Sequence, residues 1–167
     1  MELRYYEPEL GLDGTAEELF IQARNNYIDN PDALSKISSI LNSEAAMNER
    51  NGLSGKDLRI KAEKVHYMEL RERETDTDFS INQMKIDFMD CGKGGLDEVP
   101  INEDKSLFLS VMFEPRDSNV IFSLTQITDD GTSIGASSLS LDQFKNCTRK
   151  DFDNFVGQIL MLGMQPV

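Results

Sequence analysis

Two apolar runs, LFLSVMF at 107–113 and NVIFSLTQI at 119–127, constrain the fold of this chain more than any other feature. Between them lies EPRDS, where Pro115 and Asp117 suit a reverse turn. Pairing Phe113 with Val120 sets Val111 beside Phe122 and Leu109 beside Leu124, so one register gathers six apolar side chains on one face. A slip of a single residue would turn that whole set to the other side. The opposite face carries Phe108, Ser110, Met112, Ile121, Ser123 and Thr125, a mixed set. Downstream, TDDGT reads as a tight hairpin turn with Gly131 at positive φ, and SIGASSLSL reads as extended. Upstream, INQMKIDFM (81–89) reads as a further strand, giving an antiparallel meander of about four strands.

Before residue 78 the texture is helical. Thr15 can cap a helix whose apolar positions Ala16, Leu19, Phe20, Ala23 and Tyr27 follow three-four spacing. Asn30-Pro31 ends that helix and starts the next, because Asn caps well and Pro is tolerated in a first turn. Leu34, Ile37, Ile40 and Leu41 mark the face of this second helix, so the two read as a helical hairpin. Asn51, Gly52, Ser54 and Gly55 break the chain, and Ser54 with Asp57 has the form of a capping box. A third helix runs through KDLRIKAEKVHYMELRERE; alternation around Val65, Tyr67, Met68 and Leu70 leaves residues 64–73 open to a strand reading. The chain closes on another helix, capped by Thr148 with Asp151 and faced by Phe152, Phe155, Val156, Ile159 and Leu160, with Gly163 and Pro166 ending it.

The expected class is therefore α+β: a helical lobe over 1–78, then an antiparallel sheet with a C-terminal helix laid on it over 79–167, together one compact unit. A chain of 167 residues buries roughly two-thirds of its unfolded surface and needs no disulfide or metal to hold it. MELRYYEPEL shows no apolar segment of the secretory kind, and LFLSVMF is far shorter than the roughly 20 residues of a membrane-crossing helix. Cys91 and Cys147 stand far apart in no metal spacing, which fits two free thiols and a cytoplasmic location.

Motifs for chemistry fail one by one. DFMDCGKGGLDE (87–98) has the Asp, Gly and Glu of a calcium loop, yet places Met89 and Cys91 where a hard cation needs oxygen. Its Gly-Lys-Gly-Gly run lacks both the spacing and the hydroxyl of a phosphate loop, so it reads as a connector between two strands. Glu63, His66 and Glu69 share a helix face, but a di-iron carboxylate site requires a second histidine and His66 is the only one. The same scarcity removes Ser-His and Cys-His nucleophile pairs. Asp76-Thr77-Asp78 has the form of an Asp-x-Asp metal motif, a pattern frequent by chance in a chain this acidic. Paired carboxylates for glycoside cleavage have no cleft signal beside them, and the chain holds no Trp. No cofactor, metal or catalytic residue is expected.

Charge remains. Thirty acidic against seventeen basic residues leave a net of −13, a surface that repels nucleic-acid phosphates and anionic membranes and attracts basic partners. A meander followed by a helix is an order also used by Whirly-like single-strand binders, whose mode needs a basic groove with aromatic platforms. These strands carry few Lys or Arg, so neither nucleic acid nor membrane is expected to be bound directly. Ten acids cluster between residues 72 and 104: Glu72, Glu74, Asp76, Asp78, Asp87, Asp90, Asp97, Glu98, Glu103 and Asp104, against Arg73, Lys85 and Lys93. Gathered at one edge of the sheet, they would engage the basic, nucleic-acid-binding surface of a protein partner, as phage-encoded inhibitors of host nucleases do. The expectation is a non-enzymatic inhibitor or regulator. Two alternatives stand beside it: a homodimer or chaperone-like assembly built on the mixed sheet face and the terminal MLGMQPV, and a carboxylate-based enzyme or small-ligand binder.

Overall fold

A computed structural model of the chain describes residues 3–74, 80–91, 96–101, 104–114, 118–162 and 165–166. The fold is α+β, divided into two compact units, Met1–Thr75 and Asp76–Val167.

The first unit opens with a hairpin of β1 (Arg4–Glu7) and β2 (Leu12–Thr15), paired from Arg4↔Thr15 to Glu7↔Leu12. Gly11 turns it at φ +73, a conformation that only glycine adopts without cost. Three helices follow: α1 (Ala16–Asn25), α2 (Pro31–Arg50) and α3 (Lys56–Arg73). Thr15 and Asn30 cap α1 and α2, their side chains accepting from the Glu18 and Ala33 amides at 3.2 and 3.1 Å. Tyr27 lies beyond α1 and donates its hydroxyl to the Gly11 carbonyl at 3.0 Å, so it secures the hairpin turn instead of extending the helical face. α2 ends in a Schellman motif: the Gly52 amide donates to Glu49 and the Leu53 amide to Asn48, with Gly52 at φ +77. α3 stays helical through Arg73, which settles residues 64–73 as helix. The Ser54–Asp57 capping box does not form, because the helix begins one residue later, with Gly55 as its cap and no side-chain bond there. Leu34, Ile37, Leu41, Val65 and Met68 are buried, and Ser38 donates to the Ala62 carbonyl at 3.0 Å, tying α2 to α3.

The second unit begins with a correction. INQMKIDFM is helical, forming α4 (Ile81–Cys91). Ile81, Met84 and Phe88 fall at i, i+3 and i+7 on its buried face, and Ser80 accepts from the Gln83 amide at 3.0 Å at its start. The sheet is made by β3 (Leu96–Pro100), β4 (Leu107–Glu114), β5 (Asn119–Thr128), β6 (Gly131–Ser140) and the two-residue β7 (Gln165–Pro166), all antiparallel in sequential order. Phe113↔Val120, Val111↔Phe122 and Leu109↔Leu124 pair in the expected register, and β5 turns into β6 through Asp129-Asp130 with Gly131 at φ +135. Pro115 and Asp117 lie outside the described residues. SIGASSLSL yields its last residue to a short helix, α5 (Leu141–Lys145), because Ser140 and Gln143 form a capping box. α6 (Arg149–Met161) carries the expected Thr148–Asp151 box. Phe88, Phe144, Phe152, Val156 and Ile159 from α4, α5 and α6 meet Leu109, Val111, Val120, Phe122 and Leu124 from the sheet. Pro166 pairs with Ser133 in β7, and Gly163 lies outside the described residues.

Candidate functional site

The acidic segment of the second unit is built on α4, β3 and the turn that follows. On α4, Asp87 accepts from the Gln83 side chain at 2.8 Å and Asp90 is exposed. Lys85 stands two residues before Asp87 in sequence but does not share its surface. It is only 4% exposed, and its ammonium donates to the carbonyls of Lys145 at 2.9 Å and Cys147 at 2.7 Å. These carbonyls lie at and just beyond the C-terminus of α5, where aligned peptide dipoles favour a cation. The outward surface of α4 therefore keeps its carboxylates while its lysine is drawn inward.

β3 is an edge strand, and its register shifts between Leu96↔Val111 and Val99↔Leu109. Asp97 and Glu98 together oppose the single residue Ser110, which is a β-bulge. A bulge carrying two acids blocks edge-to-edge pairing with another sheet, so these residues have a structural reason to be there before any partner is invoked. Past the strand, Asp104 accepts from the amide and hydroxyl of Ser106 at 3.2 and 2.8 Å, and Lys105 takes φ +54.

Of the ten expected acids, then, Asp87 and Asp90 fall on α4, Asp97 and Glu98 on β3, and Asp104 in the turn before β4, all in the second unit. Glu72 and Glu74 belong to the first unit, Glu72 exposed in the last turn of α3 and Glu74 at its C-cap. Between these two acids Arg73 bonds Glu69 at 2.9 Å and Asp32 at 3.0 Å, and these bonds push its guanidinium further toward the charged form. Asp76, Asp78 and Glu103 lie outside the described residues, as does the Asp-x-Asp motif.

DFMDCGKGGLDE is not a strand-to-strand connector. Asp87–Cys91 is the last turn and a half of α4, and residues 92–95 lie outside the described residues. Helical backbone over its first five positions is incompatible with an EF-hand loop, which must wrap its ligands around the ion. His66 sits 3.6 Å from a Glu69 oxygen, but Glu63 accepts the Tyr67 hydroxyl at 2.9 Å and Glu69 accepts Arg73. These carboxylates are turned to protein donors. Burial first, and the Glu63 charge second, push the Tyr67 phenol well above its ordinary range, so it stays protonated. Among the described residues no three His, Cys, Asp or Glu side chains are placed to hold a metal, and no helix is long and apolar enough to cross a membrane.

One cavity of about 640 Å³ lies in the first unit, bounded by the start of α1 (Ala16, Glu17), the end of α2 (Glu44, Met47, Asn48, Arg50) and the start of α3 (Asp57, Leu58, Lys61). Two of its ionic groups pair with each other, Lys61 with Asp57 at 3.0 Å, and Glu44 accepts the Tyr5 hydroxyl at 3.3 Å. Sequence reasoning missed this cavity because its lining is scattered over three successive helices and no motif marks it.

Neither a family model, nor a curated protein, nor a solved structure matches this chain. The functional reading therefore rests on its own residues.

Proposed function

We propose that this chain is a non-enzymatic binding protein whose acidic α4–β3 edge engages a basic, nucleic-acid-binding surface of a protein partner, acting there as an inhibitor or regulator. The observation that carries the reading is the inward turn of Lys85 on a helix whose surface carries Asp87 and Asp90: its ammonium is spent on the Lys145 and Cys147 carbonyls instead of standing at that surface. Asp97 and Glu98 on β3 and Asp104 after it prolong the same sign of charge along the chain. A one-signed segment of this kind raises the encounter rate with a positive groove and mimics the phosphates that the groove accepts.

The test is an affinity titration with a labelled oligolysine peptide as the basic probe, repeated at low and at moderate ionic strength. The reading requires binding that falls steeply with salt, since contacts between exposed charges are screened over about 8–10 Å. No binding at low salt, or binding indifferent to salt, overturns it.

A further inference from the structure

The cavity of the first unit follows from unequal helix lengths. α1 has 10 residues and α2 has 20, so α2 and α3 run on past the start of α1 and leave a groove between them. Its volume, about 640 Å³, lies within the roughly 300–1,000 Å³ of small-ligand sites. Glu44, Met47, Asn48 and Asn51 follow one another at i, i+3, i+4 and i+7, so a single helical face looks into it. Much of the polar chemistry there is left unpaired by the protein. Lys61 is held by Asp57 and by the Phe20 ring, whose centroid lies 5.5 Å from the ammonium. Among the described residues, however, Glu17 and Arg50 have no ion-pair partner, and the side-chain amides of Asn48 and Asn51 have no hydrogen-bond partner. Glu44 accepts only the Tyr5 hydroxyl, which leaves one of its oxygens open.

From these observations we infer that the groove binds a short peptide whose two termini are free. The charges are separated along it. Glu44 takes its bond from β1, and Glu17 stands in the first turn of α1 directly after β2, so both acids belong to the hairpin end. Arg50 closes α2 six residues past Glu44, about 9 Å further along the helix axis. Three extended residues span about 10 Å, which matches that separation, whereas a single amino acid holds its two charges too close to reach both ends. The peptide ammonium meets Glu17 and Glu44, its carboxylate meets Arg50, and its backbone amides pair with Asn48 and Asn51. Met47 and Leu58 give a side chain apolar surface to lie on. A dication would bring like charge to Arg50 and a dianion like charge to the two acids, so charge selects a zwitterion. The Tyr5 bond fixes Glu44 before the ligand arrives, which lowers the cost of ordering it. This site belongs to the first unit and takes a ligand without net charge, so it and the acidic edge can each fail alone.

Isothermal titration calorimetry of the full chain with trialanine tests it. The expected result is binding of one peptide per chain, weakened at least about fivefold when the amine is acetylated or the carboxylate amidated. Glu44→Gln, which keeps an acceptor for Tyr5, produces a similar loss for trialanine and none for the acetylated peptide. Arg50→Ala does the same at the carboxylate end, while Arg24→Ala, in the last turn of α1, changes nothing. No heat at about 10 mM trialanine overturns the inference. So does binding indifferent to blocked termini or to the Glu44 and Arg50 substitutions, and so does a plain diamine that binds as well as the peptide.

Discussion

The ammonium of Lys85 donates to the carbonyl of Cys147 across 2.7 Å, joining α4 to the corner between α5 and α6. The same nitrogen holds the Lys145 carbonyl, so a single buried cation satisfies two acceptors of that corner. Lys85→Ala removes both bonds and leaves a void. It is expected to lower the unfolding free energy by about 3 kcal/mol in urea titration, with Lys85→Met, which restores volume but no donor, falling between it and wild type. A change below about 0.5 kcal/mol for Lys85→Ala would show that the corner holds without it.

Lys85 is also why α4 reads as a strand from sequence. Ile81, Met84, residue 85 and Phe88 form a complete helical stripe, but a lysine inside it breaks the period and leaves the alternation of Met84, Ile86 and Phe88 as the stronger pattern. Ser80 with Gln83 marks the helix start, the same spacing as the Ser140–Gln143 box of α5, and both signals are easily lost beside neighbouring extended runs. The register of β4 on β5 was legible because six apolar residues permit only one solution. The β1–β2 hairpin was not, since four-residue strands hold too little alternation to stand above chance. Of the candidate site, the sequence shows the run of acids; it does not show that Lys85 turns inward or that the described acids divide between two units.

Gly55 fits where no side chain can. A Cβ there would meet the Ala45 carbonyl oxygen at 2.8 Å and the Glu49 Cγ at 3.0 Å, while its own φ is accessible to any residue. Gly55→Ala must therefore push the loop before α3 away from α2. Thermal unfolding is expected to show a loss of about 1–3 kcal/mol; an unchanged midpoint would contradict the close approach.

Cys147 is buried, its thiol donating to the Thr148 carbonyl at 3.4 Å. Burial raises its pKa, Asp151 and Asp153 add to the rise, and Lys85 opposes it. In a Cys91→Ser background, labelling of Cys147 by a thiol reagent at neutral pH is expected to be at least about 100-fold slower than in denaturant. Because the folded pKa lies above the unfolded value, this thiol costs no stability below the usual thiol range near pH 8.5 and draws stability down as pH rises through it. Labelling as fast as that of a free thiol would place the side chain at the surface.

Asp151 titrates in the opposite sense. Hydrogen bonds from the Thr148 amide, then from its hydroxyl, hold the Asp151 carboxyl below its usual range. The folded pKa is depressed, so the contribution is present above the ordinary aspartate pKa near 3.9 and disappears as pH falls through the folded value. Thr148→Ala is expected to cost about 1 kcal/mol at neutral pH, with a smaller difference from wild type in acid. Equal differences at both pH values would mean that the Thr148 hydroxyl adds nothing to the lowering of the Asp151 pKa.

The central claim concerns place, since any protein of net charge −13 attracts a polycation at low salt. Two variants with five acids neutralised separate place from total charge: Asp87→Asn, Asp90→Asn, Asp97→Asn, Glu98→Gln and Asp104→Asn on the α4–β3 edge, against Glu9→Gln, Glu17→Gln, Asp29→Asn, Asp129→Asn and Asp130→Asn at exposed positions elsewhere. Anisotropy titration with the same oligolysine probe at moderate ionic strength is the direct measurement. A loss of affinity at least about tenfold greater in the edge variant is the expected result. Equal losses in the two variants would contradict the account.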